Sequence, residues 1–358
     1  MLKKAVAQAG NFVAAMAVCV ALGGPDPARA GDYEDGLVAA RRGDFATAHR
    51  LWAPLAEQGN VEAQFDLGLL YDKGRGVEQD LKVAMRWYRV AAEQGHPDAQ
   101  NNLGFMYGTG HGVKQDYGEA FRWYKMAAEQ GSAQAQNNLA LYYDNGYGVK
   151  RDIAMAVTWY TAAAEQGYAE AQYALGVTYA DGDGVERDYQ KALRWYLAAA
   201  ERGHADAQHN LGYMYDYGKG VEQDYAVAAI WYKLAAEQGH SKAQVNLGYM
   251  YNNGEGVARN RETALRWYRA AAAQGEAAAH NNLGFIYAMG RGVPRDNVKA
   301  YMWYSIAVAT MGSDEPTGNK AKTILNLEAT AQELTPAQIE QARAMAQGCM
   351  ESNYTDCD

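Results

Sequence analysis

The sequence predicts an all-α solenoid of stacked helix–turn–helix repeats. Three observations predict it. The dipeptide Trp-Tyr recurs at 87–88, 123–124, 159–160, 195–196, 231–232, 267–268 and 303–304, always 36 residues apart. Seven full repeats follow, starting at Asn60, His96, Ser132, Tyr168, His204, His240 and Glu276. Ten positions never vary among them: Ala at 4, Leu at 8, Tyr at 12, Gly at 15 and 17, Val at 18, Ala at 25, Trp at 28, Tyr at 29 and Ala at 32. One repeat cannot bury a Trp, two Tyr and a Leu within itself, whereas stacked copies bury them against each other. Composition agrees, since 49% hydrophobic and 21% charged residues make a globular mix, and the 38 Gly, 27 Tyr and 8 Trp follow from the repeat.

The first segment, 1–30, reads as a cleaved secretory leader. Lys3 and Lys4 precede an apolar run from Phe12 to Leu22, and Ala28-Arg29-Ala30 supplies a small-residue cleavage motif before Gly31. The run is too short for a stable bilayer span, which needs about 20 apolar residues. Val18 before Cys19 does not fit a lipoprotein signal. Cleavage removes Cys19, leaving Cys349 and Cys357, an even pair that reads as one disulfide in an oxidising compartment, with two free thiols as the alternative. The localisation expected is export across the inner membrane into the periplasm.

Residues 31–59 read as a shortened N-terminal capping repeat: Trp52 falls one residue out of phase, and Gly43-Asp44 replaces the longer loop. The seven repeats fill 60–311. In the second, helix A runs from Pro97 to Tyr107, with Ala99, Leu103 and Tyr107 on one stripe and Gly104 allowing close approach of another helix. Gly110-His111-Gly112 forms the turn, Asp116 caps helix B, and Glu129-Gln130-Gly131 ends it on a left-handed glycine. Asn260 replaces the capping Asp in the sixth repeat. Residues 312–358 should add two capping helices and the disulfide tail. Thr335-Pro336-Ala337-Gln338 gives a capping box, with Gly348 as the expected helix stop.

The A-x-x-L-G-x-x-Y of helix A, the Gly-x-Gly-Val loop and the A-x-x-W-Y-x-x-A-A-x-x-G of helix B resemble the Sel1-like repeat family, a subgroup of tetratricopeptide-like solenoids. The resemblance is strong over 60–311 and weak in the flanks. It implies a right-handed superhelix with helix A on the concave face. It also implies a scaffold or adaptor for protein–protein interaction, with regulation or assembly of a bacterial envelope system as a plausible task.

No catalytic constellation rises above the repeat background. Ser132, Ser241, Ser305, Ser313 and Ser352 lie in neither S-x-x-K nor G-x-S-x-G. Cysteine-rich relatives described as β-lactamases carry paired cysteines in each repeat, and this chain has none there. His96, His204 and His240 share position 1, so they are spread along the stack and read as solvated helix-start residues rather than a converging metal site. Asp181-Gly182-Asp183-Gly184 does not complete a calcium loop. The Trp-Tyr pairs read as core rather than as a sugar platform. Neither metal nor cofactor is implied, and the expectation is a protein that is not an enzyme. The formal charge of -9 argues against a nucleic-acid partner.

The candidate partner-binding residues occupy position 7: Asp66, Asn102, Asn138, Asn210, Asn246 and Asn282, with Ala174 interrupting the row. Asn is a mediocre helix former, costing a few tenths of a kcal/mol against Ala. Its amide can pair both backbone groups of an extended peptide. The N-N-L-G/A motif at 101–104, 137–140 and 281–284 is similar to the asparagine ladder of the tetratricopeptide part of O-GlcNAc transferase. An inter-helix or inter-repeat hydrogen bond is the competing reading. Positions 10, 11 and 14 flank the row with Leu69, Phe105, Leu141, Val177, Tyr213, Tyr249 and Phe285 and neighbours such as Met106 and Met214, which suit adaptable recognition. Summed over the repeats, positions 1–14 are acidic and positions 22–35 basic, so a basic protein or extended peptide would suit the helix-A face. The rival readings are a cell-envelope hydrolase of penicillin-interacting type and a secreted, host-facing virulence adaptor.

Overall fold

A computed structural model describes residues 27–312 and 317–357, with side chains over 31–312 and 319–357. The expected leader lies outside these residues except for its last four positions. The described residues form eighteen helices and no strand. An N-terminal pair, α1 (Pro27–Arg41) and α2 (Phe45–Glu57), precedes the repeats. Repeats one to three supply α3 (Val61–Lys73), α4 (Leu81–Glu93), α5 (Pro97–Thr109), α6 (Tyr117–Glu129), α7 (Ala133–Asn145) and α8 (Ile153–Glu165). The fourth and fifth supply α9 (Ala169–Asp181), α10 (Tyr189–Ala200), α11 (Ala205–Tyr217) and α12 (Tyr225–Glu237). The last two supply α13 (Ser241–Asn253), α14 (Arg261–Ala272), α15 (Ala277–Met289) and α16 (Asn297–Thr310), before α17 (Thr317–Ala331) and α18 (Pro336–Glu351).

The described residues divide into two compact units, the first ending at Ala171 and the second beginning at Gln172. Within each, helices pack chiefly on their immediate chain neighbours, as a right-handed α-solenoid of helix–turn–helix repeats does.

The same local chemistry recurs along the stack. In five repeats helix A starts where a position-1 side chain accepts the position-4 backbone N–H: Asn60 from Ala63, His96 from Ala99, Ser132 from Ala135, His204 from Ala207 and His240 from Ala243, whereas Glu276 makes no such bond. The histidines are therefore helix-start residues, but they are not solvated as expected. His96 is 8% exposed, because its ring stacks on Phe65 at 4.4 Å and its Nε2 lies 3.1 Å from the Glu62 carboxylate. Helix A runs to position 14 and ends on the position-15 glycine in left-handed geometry, as at Gly110 with φ 75°. The position-17 glycine has a second task besides positive φ. At Gly256 an added Cβ would lie 2.1 Å from the Tyr225 carbonyl oxygen, so its backbone lies directly against the start of the preceding helix B. Asp80, Asp116, Asp152, Asp188, Asp224, Asn260 and Asp296 all cap helix B as predicted.

The core is laid down the same way. The position-29 tyrosines, such as Tyr88, Tyr232 and Tyr268, are essentially fully buried. In six of the seven repeats the ring lies on the position-9 glycine of its own repeat, Ala140 taking that place in the third; a Cβ at Gly104 would meet Tyr124 at 2.7 Å. What Gly104 admits is therefore an aromatic ring. Trp and Tyr at adjacent positions diverge by about 100° around a helix. The Trp consequently turns toward a neighbouring repeat and stays half-buried, except for Trp303 at 3% exposed.

A buried glutamine relay links successive repeats. Gln100 donates to the Ala92 carbonyl of the preceding repeat at 3.0 Å, and Gln130 donates to Gln100 at 2.7 Å. The same pattern holds for Gln64 with Gln94, Gln136 with Gln166, Gln208 with Gln238 and Gln244 with Gln274. In the seventh repeat His280 replaces the first glutamine, with Nε2 3.1 Å from the Ala272 carbonyl and Nδ1 3.3 Å from the Thr310 hydroxyl.

Both ends carry helical caps. Trp52 is 3% exposed, and its Nε1 donates to the Tyr33 carbonyl. At the other end, Thr335 and Gln338 form the predicted capping box. Gly348 does not stop α18. The helix continues to Glu351, because Cys349 must still point inward; it is 1% exposed and bonded to Cys357. The disulfide closes an eight-residue step that lays Tyr354 against the His280 ring, centroids 5.2 Å apart.

Candidate binding face

Position 7 falls one residue before the buried Leu of helix A, so its side chain is turned to the edge of the packed seam. All six candidate residues are half-buried. In the first unit, Asp66 accepts from the Tyr33 hydroxyl at 2.8 Å, Asn102 is within hydrogen-bonding reach of Tyr88, and Asn138 donates to Asn101 of the preceding repeat at 3.0 Å. In the second unit, the Asn210 oxygen lies 3.2 Å from His209 Nδ1, and the Asn246 amide lies 3.4 Å from His209 Nε2. The inter-repeat bond weighed against the ladder therefore exists. It does not exhaust the amides, since each Asn has two N–H donors and a carbonyl with two lone pairs. Asn282 holds the same register on α15, also half-buried.

Two titrating groups here are perturbed by burial. Desolvation pushes the Asp66 carboxyl up to about 6 despite the opposing Tyr33 hydrogen bond. His209 is pushed down to about 4, by burial first and then by the His240 ring stacked on it at 4.6 Å.

The flanking positions divide sharply. Met106 and Met214 do not line the face: they are 1% and 3% exposed, because position 11 lies three residues beyond the invariant Leu on the same buried stripe. Position 10 is half-buried at Leu69, Phe105, Leu141, Val177 and Phe285, and opens outward, with position 14, in the later repeats. Tyr213, Tyr217, Tyr249 and Met289 are 44%, 60%, 50% and 57% exposed, all on helix A of the last three repeats. Tyr217 escaped the sequence reading; its signal was a ring at a position held elsewhere by Lys73, Thr109, Asn145 and Asp181.

No group of three or more His, Cys, Asp or Glu converges for a metal among the described residues. None of their helices is long and apolar enough to cross a membrane. Two shallow hollows border the disulfide tail, one of about 220 Å³ lined by Arg269, Trp303, Tyr354 and Cys357 among others.

Repeated helix pairs presenting one face at constant register define a repeat scaffold for protein interaction. The particular kind is settled by comparison. The Sel1 repeat family matches residues 61–96, 97–132, 133–168, 169–204, 205–240, 241–276 and 277–309, and the chain belongs to it. Among solved structures, a Sel1 repeat protein from Oxalobacter formigenes is 35% identical with a TM-score of 0.61, covering 71% of this chain and 99% of that one. A protective antigen of uropathogenic Escherichia coli displaying the same repeat fold is 29% identical with a TM-score of 0.42, covering 91% and 85%. A Sel1 repeat protein from Klebsiella pneumoniae subsp. pneumoniae is 25% identical with a TM-score of 0.38, covering 56% and 97%. Among curated proteins, none matches this chain.

Proposed function

We propose that the protein is an exported scaffold that binds another protein, or an extended segment of one, through its helix-A face, in the service of a bacterial envelope system. The observation that carries this is the recurrence of half-buried position-7 amides at one register, bordered in the later repeats by outward-facing side chains at positions 10 and 14. Each amide–peptide bond contributes on the order of 1 kcal/mol, so several acting together would hold an extended segment. The leader-like residues 1–30 and the Cys349–Cys357 disulfide support export to an oxidising compartment, here taken to be the periplasm. The acidic balance of helix A favours a basic partner.

The test is in-cell crosslinking and purification of the full chain beside Asn102→Ala/Asn138→Ala/Asn246→Ala, with mass spectrometry of what co-purifies. Circular dichroism checks that the variant stays helical, since Asn138 and Asn246 also bond between repeats. The expected outcome is a partner held by the wild type and lost by the folded variant. A partner retained by the variant would move binding off this face.

A further inference from the structure

The helix-A faces of the fifth and sixth repeats differ chemically from those of the first and second at one repeated slot. In the first pair, Asp72 at position 13 has a partner on two sides: Lys73 Nζ at position 14 lies 3.1 Å away, and His111 Nε2 at position 16 of the next repeat lies 3.2 Å away. In the later pair the same three places hold Asp216, Tyr217 and Glu255. The aspartate is kept and its two internal partners are gone, the lysine replaced by a ring and the histidine by a second acid.

The surroundings are aromatic and open. Tyr213 and Tyr217 lie with ring centroids 4.6 Å apart. Tyr249, Asp216 and Glu255 are all close enough to Tyr217 to raise its hydroxyl together with burial, the largest cause. Asp216 accepts from the buried Tyr232 hydroxyl at 3.2 Å, which fixes its carboxylate in place. Burial raises Asp216, the Tyr232 hydrogen bond opposes this, and the Glu255 charge raises it further, so the second acid lies close enough to act on the first. Tyrosine faces attract cations through their quadrupole, and paired carboxylates do so by charge.

We propose that Tyr213, Tyr217 and Tyr249, with Asp216 and Glu255, receive an arginine or lysine side chain of the bound protein segment, which supplies the cation that Lys73 supplies in the first repeat. This rests on the scaffold reading above and gives it a partner chemistry.

The test is fluorescence anisotropy of the full chain with a labelled Gly/Arg peptide and with a Gly/Glu peptide of equal length. Tyr213→Ser/Tyr217→Ser/Tyr249→Ser leaves net charge unchanged, Glu255→His puts back the histidine of the first pair, and Glu93→His at an exposed position of α4 changes charge equally elsewhere. The expected result is that the wild type binds the Arg peptide only, that the Tyr variant and Glu255→His each weaken it by roughly tenfold or more, and that Glu93→His does not. Equal binding by all four proteins would mean diffuse acidity and overturn the site, as would no Arg-peptide binding by the wild type. If the Arg peptide fails while the Asn variant still loses its co-purified partner, the cation site falls and the scaffold stands. If the Arg peptide binds as expected while no partner co-purifies, the scaffold reading falls and the cation site survives as a peptide site.

Discussion

Asp66 and His280 each replace the residue that other repeats carry at their position, and each is perturbed by burial. Asp66 titrates near 6 when folded, above its unfolded value of 3.8. A carboxyl raised in this way favours the folded state at low pH, and that contribution is lost as pH rises through 6. Asp66→Asn, the residue of most other repeats, should therefore stabilise the protein by on the order of 2 kcal/mol at pH 8 and hardly at all at pH 4. Urea denaturation at both pH values checks this. His280 is fully buried and pushed down to about 4 by desolvation, partly opposed by the Ala272 carbonyl. Between pH 6.5 and 4 the unfolded chain binds a proton that the folded chain refuses, so stability falls as pH falls through that window. His280→Gln should remove on the order of 3 kcal/mol of that loss while keeping the bond to Ala272. An unchanged slope between pH 7 and pH 5 would show that His280 does not titrate as described.

At the scale of the element, the loop glycines carry the most local constraint. Gly256 has φ of 66° and its missing Cβ would strike the Tyr225 carbonyl. Gly256→Ala should cost more than the ~1 kcal/mol of a left-handed alanine, since overpacking against backbone adds about 1–3 kcal/mol. Gly43, with positive φ and open space around it, should cost only the first part. Equal losses in thermal denaturation would contradict the close-approach argument. Helix boundaries, caps and repeat register were legible because each depends on residues adjacent in sequence, such as Asp116 before α6. The glutamine relay was not. Gln100 and Gln130 recur in most repeats, but polar residues flanking a helix end look solvated until the preceding repeat brings the Ala92 carbonyl to them. Met106 misled for a related reason: variability marked it as a face residue, whereas its place on the Leu103 stripe buries it. Gly348 misled because a glycine on an open helix side, with nothing within 4 Å, does not end a helix whose next residue is anchored by a disulfide.

For the whole molecule, repetition makes the fold easy to read and the function hard. The invariant positions encode stacking, so binding chemistry must reside where repeats depart from one another: Tyr217 in place of Lys73, Glu255 in place of His111, Ala174 in the asparagine row. The position-7 row itself was visible in sequence, and its internal bonds were not, because Tyr33 and Asp66 are 33 residues apart and Asn101 and Asn138 are 37 apart. A scaffold with two unlike helix faces makes a sharp claim about which face is used. The most direct measurement is a photo-crosslinking scan in cells, placing a benzoylphenylalanine one site at a time at Phe105, Tyr249 and Asn253 on helix A and at Val90, Met126 and Ile230 on helix B, all in the full chain. The account predicts a discrete partner adduct from the helix-A sites and none from the helix-B sites. Adducts confined to the helix-B sites would contradict it.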